Sequence, residues 1–323
     1  MTPPIGVLVM AYGTASGVDD IERYYTDIRG GRPPAPEHLS ELMGRFAAIG
    51  NRFPLLEITM QQALGLEREL NAGASGGFAC YVGMKHSPPF VADAVEEMRR
   101  DGIERAVGIV MAPHWSAMST DTYIERALAA AGEGGPALTF VRSFHDHPQF
   151  IELLALRVAH AIGRIPGPAR ERAMVIFSAH SLPIRTGSDG SPRCLRCDRC
   201  ADSCRYRDGL QETADLVAER LDLDAYTIAW QSAGRTADPW WGPSIEEVIG
   251  ELPSRGHGGV VVCSAGFVAD HLEILYDLDI EARRRAEEVG LAFSRTEMPN
   301  ADPAYVRMLA SVVREHLEGA TER

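Results

Sequence analysis

Seven short apolar runs, at 5–10, 80–84, 106–111, 138–142, 174–177, 226–230 and 260–263, punctuate this chain of 323 residues. Patterns with helical spacing of apolar residues fill the gaps, at 19–28, 36–49, 55–70, 120–131 and 147–162, with another helix ending near Arg100. Strands that alternate with helices pack as parallel sheets covered on both faces, which constrains this chain to an α/β architecture. The series breaks once, at Ile165-Pro-Gly-Pro168, where two prolines and a glycine can sustain neither a helical nor a strand ladder. After that break the alternation begins again, so the pattern reads as a loose internal duplication. Two domains are expected, 1–165 and 172–300, with a C-terminal helix at about 302–323 packing back on the first. At 45% hydrophobic content the chain has enough apolar surface for two cores.

In open parallel sheets, ligands lie outside the carboxyl ends of the strands. Tyr12, Lys85-His86, His114-Trp115, His180 and Gln231-Ser232 all follow strand patterns and fall at such ends. Two sheets facing each other would gather these groups around one cleft. Tyr12-Gly13-Thr14-Ala15 holds a single glycine after the first strand, which disfavours a dinucleotide enzyme. A formal charge of -13 disfavours a nucleic-acid surface, which needs a basic face to neutralise phosphates. The N-terminus lacks a basic leader, and the apolar run at 7–10 is too short for a signal or a membrane span. The expectation is a cytoplasmic protein without a transmembrane segment.

Three groups of residues carry chemistry. His180, in Phe177-Ser-Ala-His-Ser-Leu-Pro183, is either a hydrogen-bonded structural imidazole or a group that takes a proton or a borderline metal. Asp270-His271-Leu272-Glu273 opens a helix to about Val289; the Asp and Glu suit a capping box. A cap leaves Asp277 and Glu281 unexplained, because they continue from Glu273 in steps of four along one helical face. Such a row suits a path for protons or a hydrated cation, or else a solvated surface neutralised by Arg283, Arg284 and Arg285. Finally, Cys194, Cys197, Cys200 and Cys204 crowd into eleven residues. Their spacing fits an iron–sulfur cluster, with structural zinc as the alternative, and Arg193, Arg196, Arg199 and Arg205 would favour an anionic cluster. Cys80 and Cys263 fall in strand patterns and read as core residues. The loop from Trp230 to Trp241 is either a packed surface loop or the wall of a pocket for a large flat ligand.

Seven stretches resemble, in order, the motifs of the ferrochelatases. They are Val9-Met-Ala-Tyr-Gly-Thr14, Ile21-Glu-Arg-Tyr-Tyr-Thr-Asp-Ile-Arg29, Val82-Gly-Met-Lys-His86, Ala112-Pro-His114, Ser178-Ala-His-Ser-Leu-Pro183, Trp230-Gln-Ser232 with Asp238-Pro-Trp240, and Gly266-Phe-Val-Ala-Asp-His-Leu-Glu273. The resemblance covers essentially the whole chain. It implies two similar Rossmann-like domains with a porphyrin cleft between them, and insertion of Fe(II) into a free-base porphyrin. Tyrosine in Met10-Ala-Tyr-Gly13 looks most like the coproporphyrin ferrochelatases of Gram-positive bacteria. That implies coproporphyrin III as substrate and Tyr12 as an axial ligand opposite His180; a protoporphyrin IX ferrochelatase and a non-catalytic porphyrin or iron–sulfur sensor are the alternatives.

By the same resemblance, His180 and Glu273 act on the metallation face as proton acceptors and transient iron contacts, and Asp277 and Glu281 relay to solvent. Arg29, Arg45 and Tyr123 match positions that hold the porphyrin, the arginines suiting propionates. Some bacterial members resemble this chain in carrying an internal cluster at the place of Cys194 to Cys204, which implies an iron–sulfur cofactor of the [2Fe-2S] kind. A monomer is the family's expectation. One departure is Gly50-Asn-Arg-Phe-Pro-Leu55, where the family often has Gly-Gly-x-Ser-Pro-Leu, so a serine contact is lost at Phe53.

Overall fold

Ile5–Ala11 is apolar from end to end and buried beyond its first residue, the pattern of a strand covered on both faces. It forms β1 of a computed structural model that describes residues 4–72, 77–188, 190–196, 205–234 and 236–321. Helices α1 (Ile21–Ile28), α2 (Pro36–Ala48) and α3 (Leu55–Asn71) lead from it to β2 (Phe78–Met84). The first half continues with α4 (Val91–Arg100), β3 (Arg105–Val110), α5 (Thr120–Ala131) and β4 (Ala137–Val141). Its four strands form a parallel sheet in the order β2-β1-β3-β4.

The second half follows α6 (Pro148–Gly163) and a single turn, α7 (Gly167–Arg170). It comprises β5 (Ala173–His180), a small hairpin of β6 (Ile184–Thr186) and β7 (Pro192–Cys194), α8 (Tyr206–Leu221), β8 (Tyr226–Gln231), α9 (Ile245–Glu251) and β9 (Gly259–Cys263). A π-helical stretch (Ile274–Ala282) then runs into α10 (Arg283–Glu288), followed by β10 (Ala292–Arg295) and α11 (Pro303–Thr321). The sheet order is β10-β9-β5-β8, again parallel. Counted by appearance within each half, both sheets run second, first, third, fourth. The duplication expected from the alternation is therefore present in the topology, and β1 and β5 occupy equivalent central places. Each half also has an apolar core between sheet and helices, and a further cluster spans both halves, from Val7 and Phe150 through Phe177 and Trp230 to Tyr305. Helix α11 lies against α3 and α6, where Arg314 Nη2 donates to the Glu69 carbonyl at 2.7 Å.

Three expectations are corrected. Asp277 and Glu281 lie on a π-helical stretch that begins directly after Glu273, and not along a regular α-helix to 289; a step of four falls just short of a π turn, so the three still share a face. β10 escapes the apolar pattern because Ala292–Arg295 is a four-residue edge strand of mixed polarity. The third correction concerns the iron–sulfur cluster. Cys194 is buried at the end of β7, opposite Ile184, and Cys80 and Cys263 sit in β2 and β9 of different sheets. Among the described residues, the group of three or more side chains able to hold a metal is His145, Asp146 and Glu212, a set of nitrogen and oxygen donors with no thiolate. Cys197, Cys200 and Cys204 lie outside the described residues. The [2Fe-2S] cofactor is accordingly dropped.

Candidate active site

The topology places one metal-capable side chain just beyond the central strand of each half. Tyr12 follows β1 and is 41% exposed, and His180 is the last residue of β5. Tyr12 is held by continued strand pairing, with Lys85 N donating to the Ala11 carbonyl at 2.9 Å and His86 N to that of Tyr12 at 3.0 Å. Gly13 then turns with φ +100, and a Cβ there would meet Ser87 Oγ at 2.6 Å, so only glycine fits. The Tyr12 ring packs on His86 at 4.7 Å between centroids. His86 is itself fixed by Asp27, its Nδ1 lying 2.7 Å from Oδ1. Burial pushes His86 down to about 4 even though Asp27 opposes the shift, which leaves a neutral imidazole beside the phenol. Lys85 Nζ lies 4.9 Å over the ring of buried Tyr123 and 5.8 Å over that of Tyr12, and burial lowers its pKa to about 8.

His180 meets a carboxylate from the other end of its own half. Its Nδ1 donates to the Ser181 carbonyl, and its Nε2 lies 3.6 Å from Glu273 Oε1. His271 is wired the same way: Nδ1 is 2.9 Å from the Ala269 carbonyl and Nε2 is 3.5 Å from Glu273 Oε2. One carboxylate therefore stands between two imidazoles, each with its Nδ1 hydrogen occupied by backbone and its Nε2 turned inward. This is how ligating or proton-accepting histidines are oriented. Phe267 packs against both rings, at 6.4 Å from His180 and 4.7 Å from His271. It is delivered there by Gly266, where a Cβ would come within 2.4 Å of the Ala179 Cβ. Burial alone would lower His180 and raise Glu273; their mutual attraction outweighs it, so His180 is raised and Glu273 is held well below the carboxylate range, with His271 adding to the latter. Burial raises the phenols of Tyr12 and Tyr123, and the Glu273 charge adds to the rise of both.

Capping does not explain Glu273, since no side-chain hydrogen bond caps this helix and Asp270 is bound instead by Asn300 and Arg295. One step along the face, Asp277 is 3% exposed and accepts from Ser232 Oγ and from Arg45 Nη2. Burial raises Asp277 to about 7, against the pull of Arg45, and Glu273 adds to the rise. Glu281 is raised too, again chiefly by burial, with Arg45 opposing at 3.9 Å. A cavity of about 410 Å³ opens off this row, lined by Arg45, Ser181, Ser232, Trp241, Asp277 and Glu281 among others. A larger cavity of about 560 Å³, on the opposite face of the helix, is lined by Asp270, Asp279 and Arg295, whose charges are already paired with each other.

Not every residue singled out in the sequence joins the cluster in the way expected. Arg45 reaches across from α2 to the acidic row, and its guanidinium also stacks 4.6 Å over Tyr276. Arg29 caps α1, with a buried Nε that has no hydrogen-bond partner. Phe53 stacks on Phe46 at 4.6 Å, filling an apolar corner. Trp230 belongs to the core at 1% exposure, stacked on Trp241. Sequence reasoning placed Ser232 at a strand end facing the cleft and His271 inside the Asp270-to-Glu273 stretch, but gave neither its partner, Asp277 for Ser232 and Glu273 for His271. His271 lies two residues before Glu273 and its pairing could have been found from that spacing; Ser232 carries φ +59, a strained turn that no residue pattern signals.

Duplicated parallel sheets with a phenol beyond one central strand and an imidazole–carboxylate cluster beyond the other define a chelatase-type protein. The fold alone is shared with sirohydrochlorin chelatases: a Bacillus subtilis subspecies spizizenii structure in complex with cobalt superposes with a TM-score of 0.54 at 11% identity, covering 99% of this chain and 98% of that one. A Bacillus subtilis structure with Fe3+ gives 0.57 at 11%, over 97% and 95% of the two chains. The sequence is more specific. A model of the ferrochelatase family matches residues 4–317, and the chain belongs to that family. It is 45% identical to a coproporphyrin III ferrochelatase of Geobacillus kaustophilus strain HTA426 over 95% of this chain and 94% of the relative. The figure is 44% for the coproporphyrin III ferrochelatase of Bacillus subtilis strain 168, over 97% and 98%.

Proposed function

We propose that this chain inserts Fe(II) into coproporphyrin III, releasing two pyrrole protons. The observation that carries the reading is Glu273 held between the Nε2 atoms of His180 and His271, with Asp277 next on the same face. Metallation exchanges two N–H protons for one divalent cation and changes no oxidation state, so the site must take protons and pass them on. His180 and Glu273 are the acceptors nearest the porphyrin nitrogens in this reading. Asp277, balanced near neutrality, takes the next step, and Glu281 delivers protons toward the cavity beside it. Tyr12 faces the iron from the other lobe, beside a histidine that burial keeps uncharged.

Propionates fall to Arg29, whose buried Nε awaits an acceptor, to Tyr123, and to Arg45 once it turns from the acidic row. The two lobes are read as domains 1–165 and 172–300, supported by sheet membership, with α11 assigned to the first lobe by its packing on α3. The chain is read as acting as a monomer. No described helix is long and apolar enough to cross a membrane. A cytoplasmic setting suits a substrate that must remain ferrous.

The coproporphyrin substrate is supported by the names of the relatives, all above 40% identity. The test is anaerobic incubation with Fe(II) and either coproporphyrin III or protoporphyrin IX, following loss of the free-base spectrum. Faster metallation of coproporphyrin III is expected; binding of either porphyrin without metallation would overturn the reading in favour of a sensor.

A further inference from the structure

Beyond β4 the chain carries Ser143, His145 and Asp146 to the seam where the first half meets α8 of the second. The seam is tightly wired. Thr213 Oγ1, on α8, donates to the His145 carbonyl at 3.0 Å and lies 2.9 Å from Nε2 of buried His114. The His114 ring lies 5.3 Å from that of His145, forming a floor beneath it. Ser143 Oγ donates to the Pro113 carbonyl at 2.8 Å and lies 2.6 Å from His145 Nδ1. A hydroxyl has one hydrogen, and this one is spent on Pro113, so Ser143 accepts from Nδ1–H. The neutral ring then carries its lone pair on Nε2, and that atom faces Glu212 Oε2 at 3.1 Å.

Two lone-pair donors at that separation require a positive occupant between them. A proton would make an ordinary ion pair. Two further features favour a metal. Asp146 supplies a third donor at the same ring, its Oδ1 3.9 Å from His145 Nδ1, and one ligand atom from each of the three side chains lies within 4.8 Å of the others. The Nδ1–H to Ser143 to Pro113 relay is the outer-shell arrangement that orients a ligating imidazole. Burial is graded: the side chain of His145 is 15% exposed, Glu212 40% and Asp146 58%, which leaves the remaining coordination positions to water. Arg205 competes for Glu212 at 3.4 Å, but its side chain is 66% exposed and can swing aside.

The geometry points to a divalent-cation site made by His145, Asp146 and Glu212, separate from His180 and Glu273, that ties the two halves together. One nitrogen and two carboxylate donors suit a borderline ion of the zinc(II) or cobalt(II) kind better than calcium or magnesium, which prefer all-oxygen cages. The seam touches the strand end that bears His180, because Tyr206 stands edge-on to His114 at 6.2 Å and donates its hydroxyl to the His180 carbonyl at 3.0 Å. A bound ion would therefore brace that end of β5 from behind, without contacting the reacting groups.

The test is titration of the EDTA-stripped full-length protein with Co(II), read by visible d–d absorption and by the thermal midpoint. Wild type is expected to bind an additional Co(II) that Glu212→Gln lacks, and to gain in thermal midpoint on metal addition where that variant does not. Asp146→Asn, at an exposed position that does not threaten folding, is expected to weaken the same binding by ~10-fold or more. Equal Co(II) binding by wild type and both variants, with Glu212→Gln equally destabilised with and without metal, would show a plain ion pair and overturn the proposal.

Discussion

At the scale of single residues, the chemistry rests on which charge state each group holds. Against the effect of burial, Glu273 raises the pKa of His180 and His180 lowers that of Glu273, so each favours the charged form of the other. Replacement of His180 by alanine should reduce Fe(II) insertion by roughly 10²–10⁴-fold, the range for a positioned proton acceptor, while porphyrin binding followed by absorbance remains measurable. Asp277 makes a sharper case because its pKa lies at about 7. As a relay it works when deprotonated, so the rate should fall as pH drops through that value. In Asp277→Asn this limb should vanish, at a lower overall rate; an unchanged limb would place the titration on another group. Its stability sign is opposite to that of a salt-bridged carboxylate held below its usual value. The folded pKa lies above the unfolded value of 3.8, so Asp277 costs stability above about pH 7 and the cost is relieved as pH falls toward 3.8.

Among the elements, the π-helical stretch and the glycine before it decide the geometry. Nine residues from Ile274 to Ala282 take the wider helix, and Glu273, Asp277 and Glu281 keep a common face through it. Such stretches cost regular hydrogen bonding and often mark functional sites. The approach to it depends on Gly266, which seats the loop after β9 directly on Ala179. Gly266→Ala should force that contact apart, costing about 1–3 kcal/mol in urea unfolding and displacing Phe267 from between His180 and His271. A variant with wild-type stability and activity would show that the loop is not held by this contact.

Across the whole molecule, Arg45 is the link that joins the lobes at the site. It crosses from α2 in the first half to Asp277 and Glu281 in the second, and it holds Asp277 below the value that burial alone would set. Arg45→Met should move the acidic limb of the rate profile to higher pH, each unit corresponding to about 1.4 kcal/mol, and should cost more stability at pH 8 than at pH 5. An unmoved limb would mean that solvent screens the pair. Much of this organisation is legible in the chain. The alternation of Ile5–Ala11-like strands with helices, and its restart after Ile165, follow from local apolar spacing, which any segment carries by itself. Tyr12, His180 and Glu273 stand out because strand ends and helix starts are local features. Hidden from the sequence were the matching order of the two sheets and the Arg45 bridge, which depend on segments up to 232 residues apart coming into contact, and the π-helical turn. The reading of Cys194 as part of a metal site went wrong for the same reason, since spacing along a chain does not state which donors meet in space. The sequence by itself determined the α/β plan, the family and the side chains available for chemistry, because these are written in local pattern and identity. Only the tertiary structure decided their partners and charge states, because burial and distance, which set both, exist only once the chain has folded.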